Sequence, residues 1–207
     1  MTRIEKLLPP SRPNGAWTAV LSSGLTLRLP EGTAADFALF SGMELDEETL
    51  AALKGSAERL ALREKAAALL SARMLSAGQL REKLTGRGGD AALAEETVRW
   101  AQRVGLVDDR QYAAALVWSC QRKGYGLYRI RDELYRRRVP RELWEEALSA
   151  MEDPAEVIDR FLEKRLDDPE DRKQLKRASD ALARRGFSWS QISEGLERAR
   201  ERLREER

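Results

Sequence analysis

Between residues 110 and 141, nine lysine or arginine side chains stand against two carboxylates, a local excess of +7 in a chain whose formal net charge is +2. Arg122, Lys123, Arg129, Arg131, Arg136, Arg137 and Arg138 form the body of that cluster. A guanidinium forks onto phosphate or carboxylate oxygens with paired N–H donors, so such a run suits recognition of a polyanion or of an acidic face. Several phosphates neutralised together would make binding strongly salt-dependent. The flanking regions carry no such bias, with 6 basic against 8 acidic residues over 1–60 and 14 against 14 over 153–207. A solvated charged face with no partner is the plain alternative, and the nine-to-two ratio argues against it.

Other residue types narrow the chemistry further. Tyr125 and Tyr128 flank the cluster and could stack on a base or pack on a protein partner, although Tyr125, between Gly124 and Gly126, could instead close the gap between two helices. Asp108 and Asp109 are adjacent carboxylates just before a helical pattern, a position that favours capping over metal or acid–base work. Cys120 is the single cysteine and falls in an apolar helical run, as a packing residue would. There is no histidine, which removes the commonest general base and the commonest metal ligand together. Gly86-Arg-Gly-Gly89 lacks the Lys and Ser or Thr that complete a phosphate loop. These gaps argue against an enzyme and imply neither cofactor nor metal.

The elements that must position the cluster read as helices. Ala, Leu, Glu and Arg are abundant, and 35% of residues are charged against 42% apolar. Ser76-x-x-Gln79 and Ser188-x-x-Gln191 are capping boxes. Asp90 and Asp109 are candidate caps, Asp153-Pro154 and Asp168-Pro169 pair a cap with a first-turn proline, and Pro140 opens another helix. Gly105, Gly124 and Gly186 stand where a left-handed residue ends a helix. This punctuation predicts helices over 57–75, 77–86, 91–104, 110–123, 127–138, 140–150, 154–166, 169–185 and 189–204. On the fifth, Leu127, Ile130, Arg131 and Leu134 share a face, which turns Arg129, Arg136 and Arg137 elsewhere; Arg131 is the one placed to pair with neighbouring acids. Trp100, Trp118 and Trp144 fall on apolar faces and read as core.

The first 56 residues differ. Trp17-Thr-Ala-Val-Leu21 and Leu25-Thr-Leu-Arg-Leu29, separated by Ser22-Ser23-Gly24, predict a β-hairpin, with short helices near 34–40 and 47–54 behind an Asp46 cap. The chain has no secretion signal at Met1–Pro10 and no apolar run long enough to span a bilayer; with its lone cysteine, that leads us to expect a cytoplasmic protein.

A repeat emerges from the helical part. Leu80-x-x-x-Leu84-Thr-Gly-Arg87, Ile130-x-x-x-Leu134-Tyr-Arg-Arg137 and Ala178-x-x-x-Leu182-Ala-Arg-Arg185 superpose at spacings of 50 and 48 residues. Val98, Trp144 and Ile192 recur in the helix that follows. The fold expected is mainly α: three tandem three-helix repeats (57–107, 108–152 and 153–207) stacked into an elongated, curved body, after a small N-terminal accessory region (1–56) with the hairpin. Arg87, Arg137 and Arg185 recur at equivalent positions, either as a shared polar stripe or as cations favoured at helix ends. A helix-turn-helix reading of 127–150 fails on charge, because the second helix, Pro140-Arg-Glu142-Leu-Trp-Glu145-Glu146, is acidic.

The central motifs then acquire a name. Gly105-Leu-Val-Asp108-Asp109, Tyr112-Ala113, Lys123-Gly-Tyr125-Gly, Arg129-Ile130-Arg131-Asp-Glu133-Leu134 and Arg138-Val139-Pro140, in that order and spacing, resemble the signature of the RecX family. Arg73-Met-Leu75-Ser76 and Gln79-Leu80-x-x-Lys83-Leu84 continue the resemblance, which spans about 57 to 200. Gln79 departs from a frequent Glu, and Trp118-Ser119-Cys120 from a frequent arginine. The resemblance implies a non-catalytic, monomeric, cytoplasmic regulator that docks in the groove of the RecA filament on single-stranded DNA. Inhibition of RecA's ATPase, recombinase and coprotease activities in DNA repair and the SOS response is the expected effect. The surface expected to carry it comprises Arg87, Arg122, Lys123, Tyr125, Arg129, Arg131 and Arg136–Arg138, with weak direct nucleic-acid binding besides. A helical-repeat scaffold or a nucleic-acid binder with another partner remains the alternative on residue chemistry alone.

Overall fold

The computed structural model describes residues 2–13, 15–86, 88–168 and 170–205. Arg87, expected on the binding surface, and Pro169, expected at a helix start, lie outside the described residues. The chain is mostly helical, with a small N-terminal sheet, and divides into two compact units: Met1–Met74 with Leu80–Val107, and Leu75–Gln79 with Asp108–Arg207.

Unit 1 contains the expected hairpin, β2 (Trp17–Leu21) and β3 (Thr26–Leu29), and two strands that the apolar pattern does not announce: β1 (Thr2–Leu8) and β4 (Glu44–Leu45). All pairs are antiparallel, in the order β3-β2-β1-β4, with Trp17 opposite Leu29 and Ile4 opposite Leu21. One face buries Ile4, Ala19, Leu21, Leu27, Leu29 and Leu45 with Leu53. A lone hairpin is marginal in water, and the added strands and helix supply what it needs. The short helix α1 is Glu31–Asp36, earlier than the 34–40 expected. Helix α2 is one element, Glu47–Ala72, where the sequence suggested two. Asp46 caps it by accepting the Thr49 N–H at 2.7 Å. Gly55 lies in the gap between those two. A mid-helix glycine costs only about 1 kcal/mol, and packing of α2 on β3 and α4 outweighs it. Helix α3 (Ala77–Thr85) and α4 (Ala91–Arg103, capped by Asp90) follow as expected.

Unit 2 holds two three-helix groups, each with its own core. The first comprises α5 (Asp109–Arg122), α6 (Leu127–Arg136) and a 3-10 turn (Arg141–Leu143) that runs into α7 (Trp144–Leu148). Tyr112, Val117, Cys120, Ile130, Leu134 and Val139 form its centre. The second comprises α8 (Pro154–Glu163), α9 (Arg172–Arg184) and α10 (Trp189–Glu205) around Ile158, Leu162, Leu182, Phe187 and Ile192. Asp153 and Pro154 open α8 as predicted, but α9 starts at Arg172 behind Asp171, not behind Asp168. Asp171 sits three residues later and accepts both the Lys173 and Gln174 N–H groups. Pro140 precedes the 3-10 turn as its cap and does not begin an α-helix.

Candidate partner-binding surface

The capping pattern fixes α6, which carries Arg129, Arg131 and Arg136, from both ends. Gly126, its N-cap, has no side chain to satisfy the first amides; Gly126 N–H donates instead to Arg185 O at 2.8 Å and Tyr128 N–H to Gly186 O at 3.1 Å. The carbonyls that end α9 thus cap the start of α6. The end of α6 is used in the same sense: the Ser76 hydroxyl, at the start of α3, donates to Arg137 O. Ser76 is the repeat equivalent of Gly126, and Arg137 of Arg185. The N-termini of α3 and α6 therefore each meet the C-terminus of the next middle helix, an arrangement that opposes unlike ends of the helix dipoles.

Polar side chains lock the Ser76–Arg137 joint. Gln79 Oε1 accepts from the Tyr112 hydroxyl at 3.1 Å as well as from Ser76 N–H at 3.5 Å, and Arg137 donates to the same hydroxyl at 3.4 Å. That hydrogen bond, with Glu133 nearby, raises the Arg137 guanidinium above its usual pKa against the opposing effect of burial. Asp108 caps its own helix through Arg110 and Gln111 N–H. Asp109, the residue expected to cap, is instead the first residue of α5; it is buried and accepts the Ala77 N–H at 2.8 Å.

The cations of the cluster fall into two classes. Arg129, Arg136 and Arg137, expected to face outward unpaired, surround Glu133 at 3.4, 3.9 and 3.7 Å. Arg129 and Arg136 also reach Asp132, and Arg129 lies over the Tyr125 ring at 5.7 Å. They sit within i±4 of these carboxylates, which is the physical reason for the pairing. Arg131, expected to pair with acids, is exposed and has no ion pair among the described residues. It follows the buried Ile130 directly, at the edge of the Ile130–Leu134 seam. Arg138 is exposed and holds a left-handed backbone, φ 54°, directly after α6. Arg122 and Lys123 close α5, Arg122 lying over the Trp118 ring at 4.8 Å.

The aromatic residues divide differently from expectation. Tyr125 is half-buried against the first core, in keeping with a helix-gap filler. Tyr128 and Tyr135 are 60% and 66% exposed, and with Arg131 they occupy positions i, i+3 and i+7 of one α6 face. Tyr135 was missed in the sequence, although its spacing from Tyr128 and Arg131 carries the signal. Trp118, read as core, is 60% exposed, because Ala113, Val117 and Cys120 already define the buried face of α5. Trp144 is half-buried with its indole N–H on Val139 O, and Trp100 half-buried beneath Arg63. Among the described residues no cluster of His, Cys, Asp and Glu fits a metal ion, and no helix is long and apolar enough to cross a membrane.

Residues 108–148, the segment that contains this surface, match the model of the second three-helix domain of RecX. The chain is 39% identical over 140 residues to the regulatory protein RecX of Deinococcus radiodurans, covering 65% of this chain and 66% of that one. It is 32% identical over 146 residues to the regulatory protein RecX of Vibrio parahaemolyticus, covering 69% of this chain and 94% of the relative. A solved structure of a regulatory protein RecX superposes with a TM-score of 0.73 at 22% identity, over 93% of this chain and 98% of that one, which speaks to the fold. On the sequence relatives and the matched central domain, this chain belongs to the RecX family.

Proposed function

We propose that this chain is a non-catalytic cytoplasmic regulator that binds the RecA filament on single-stranded DNA and restrains its ATP hydrolysis, strand exchange and coprotease activity. Family membership supports the regulatory role, and the observation that carries the binding surface is the outer face of α6. Exposed tyrosine and arginine are the residues over-represented at interface hot spots. Here Tyr128, Arg131 and Tyr135 line up on one exposed helical stripe, and among the described residues none of the three side chains makes a hydrogen bond or ion pair. Arg129, Arg136 and Arg137, balanced by Asp132 and Glu133, form the rim of that stripe and orient it; Arg122, Lys123 and Arg138 extend the positive field around it. A regulator of this kind acts by binding one filament state better than another, since a ligand with equal affinity for both shifts nothing.

The test is ATP hydrolysis by RecA on single-stranded DNA, titrated with this protein. Substoichiometric amounts should suppress hydrolysis. The triple variant Tyr128→Ala, Arg131→Ala, Tyr135→Ala should fold normally and need at least about tenfold more protein, since one hot-spot side chain alone contributes about 2 kcal/mol or more. This variant is cleaner than reversing Arg129, Arg136 and Arg137, which would crowd new carboxylates around Glu133. A folded wild-type protein that leaves hydrolysis, filament length and strand exchange untouched would sink the reading and leave a helical scaffold with another partner.

A further inference from the structure

We infer that the groove between α5 and α7 is a contact surface for a second copy of this chain, with Trp118 as its anchor. The groove holds about 380 Å³, and three small residues in its lining, Ala114, Ala147 and Ala150, leave it hollow. Trp118 forms one wall and is nonetheless 60% exposed, even with the Arg122 guanidinium over its ring. A tryptophan left in water forgoes the burial of a large apolar area, and it is among the residues most enriched at interface hot spots. An apolar cavity of ~150 Å³ holds a benzene ring, so the groove has room for an indole. A knob and a hollow that fits it thus lie side by side on one face.

Self-complementarity selects the second copy as the occupant. A twofold axis presents the same patch from both sides, so each copy can offer its knob to the other's hollow. Ala114 and Trp118 stand at positions i and i+4 of α5, one turn apart on one face. Two α5 helices running antiparallel across the axis therefore place the partner's Trp118 over Ala114, and Trp118 over the partner's Ala114. The charged residues of the lining are Arg110 and Glu146, one of each sign, 3.3 Å apart and 70% and 55% exposed. Their charges cancel, so a second copy meets the groove without repulsion, and a polyanion finds no net charge there to hold it. An indole that enters an apolar groove also needs an acceptor for its N–H. Gln121 lines the groove three residues beyond Trp118, and its Nε2 is buried with no hydrogen-bond partner. The amide is thus free to turn its oxygen toward the partner's Trp118. One anchor and one groove on each side fall short of the ~800 Å² per partner of a stable complex. The dimer is accordingly one that dilution separates, and the monomer that the family resemblance implies is its dilute state.

The experiment is sedimentation velocity of the full chain, without RecA or DNA, from about 1 to about 200 µM, where mass action makes a weak dimer visible. The average mass should rise from one chain toward two. Trp118→Ala, at an exposed position, should fold unchanged by circular dichroism. A hot-spot truncation costs about 30-fold, and symmetry counts it twice, so this variant should associate about 900-fold more weakly and stay monomeric. Glu146→Lys, which leaves two cations on each face, should also separate the copies. Arg110→Glu combined with Glu146→Lys restores one charge of each sign and should recover the dimer. Tyr135→Ala, on the α6 stripe, should associate like the wild type, so failure here and failure of the RecA reading are separable. A wild type that stays monomeric at every concentration, or a Trp118→Ala variant that associates as the wild type does, overturns the proposal. A monomeric wild type whose Trp118→Ala variant needs more protein to suppress RecA hydrolysis assigns the groove to the filament and equally overturns the second copy.

Discussion

At the residue scale the most informative pair is Asp108 and Asp109, adjacent carboxylates that cap two different helices. Asp108 serves the helix it precedes, while Asp109 turns back to the Ala77 amide 32 positions away. The first contact is local and the second is not, so the two losses should differ. Asp108→Ala should cost about 1 kcal/mol, as an ordinary N-cap does. Asp109→Ala leaves a buried N–H without its acceptor and should cost more, up to about 3 kcal/mol. Asp109→Asn, which keeps an acceptor oxygen, should recover part of that. Urea unfolding of the three variants decides it, and an Asp109→Ala loss no larger than that of Asp108→Ala would count against the long-range cap. The same contrast explains what was legible in the sequence at this scale. Both capping boxes close as their spacing predicts, with Gln79 N–H on Ser76 Oγ and Gln191 N–H on Ser188 Oγ. Which cations stay unpaired was not legible, because it depends on where Glu133 points relative to three arginines rather than on which face each one nominally occupies.

At the element scale the head-to-tail joint between α9 and α6 is the feature that sequence periodicity could suggest only as a recurrence of Arg137 and Arg185. Its close approach depends on two glycines. A Cβ on Gly126 would lie 2.5 Å from Gly186 O, and one on Gly186, whose φ is +87°, would lie 2.3 Å from Arg129 N. Gly186→Ala combines a left-handed backbone, about 1 kcal/mol for a side chain, with overpacking against main chain, about 1–3 kcal/mol. A loss of roughly 2–4 kcal/mol is expected. Hydrogen exchange should localise it to the Gly126 and Tyr128 amides, which give up their α9 acceptors. Protection at those amides equal to the wild type, in a destabilised variant, would mean that α9 does not cap α6. Elements with strong punctuation were legible to within a few residues; β1 was not. Its sequence Thr-Arg-Ile-Glu-Lys-Leu-Leu buries only Ile4 fully, so three charged residues mask a strand that pairs on both sides, with β2 and β4. The split of α2 errs in the opposite direction, because local propensity cannot weigh the two surfaces, β3 and α4, on which the helix packs.

At the scale of the whole molecule, thirty-seven cations and thirty-five carboxylates share a chain with no histidine. Much of the surface is knitted by arginine–carboxylate pairs such as Arg28–Glu64, Arg198–Asp159 and Arg204–Glu170. Exposed pairs contribute at most about 1 kcal/mol each and are weakened by salt, so stability rests on the separate cores while charge governs recognition. The absence of histidine then gives a sharp expectation for pH. The Glu95 carboxyl, bonded to Arg81, and the Glu170 carboxyl, bonded to Arg204, are held below the ordinary glutamate range, and Asp46 below the aspartate range by the Thr49 amide. Groups lowered in the folded state bind protons more readily when unfolded. Their contribution is therefore complete above the unfolded values, near pH 4–4.5, and is lost as pH falls through the lower folded ones. Burial pushes the Cys120 thiol up, further from neutrality, so it contributes no transition there either. Thermal unfolding followed between about pH 5.5 and 8 should accordingly be flat, with a decline confined to acid below about pH 4.5. A step in stability near pH 6–7 would require a group titrating at neutrality that the side chains of this sequence do not supply.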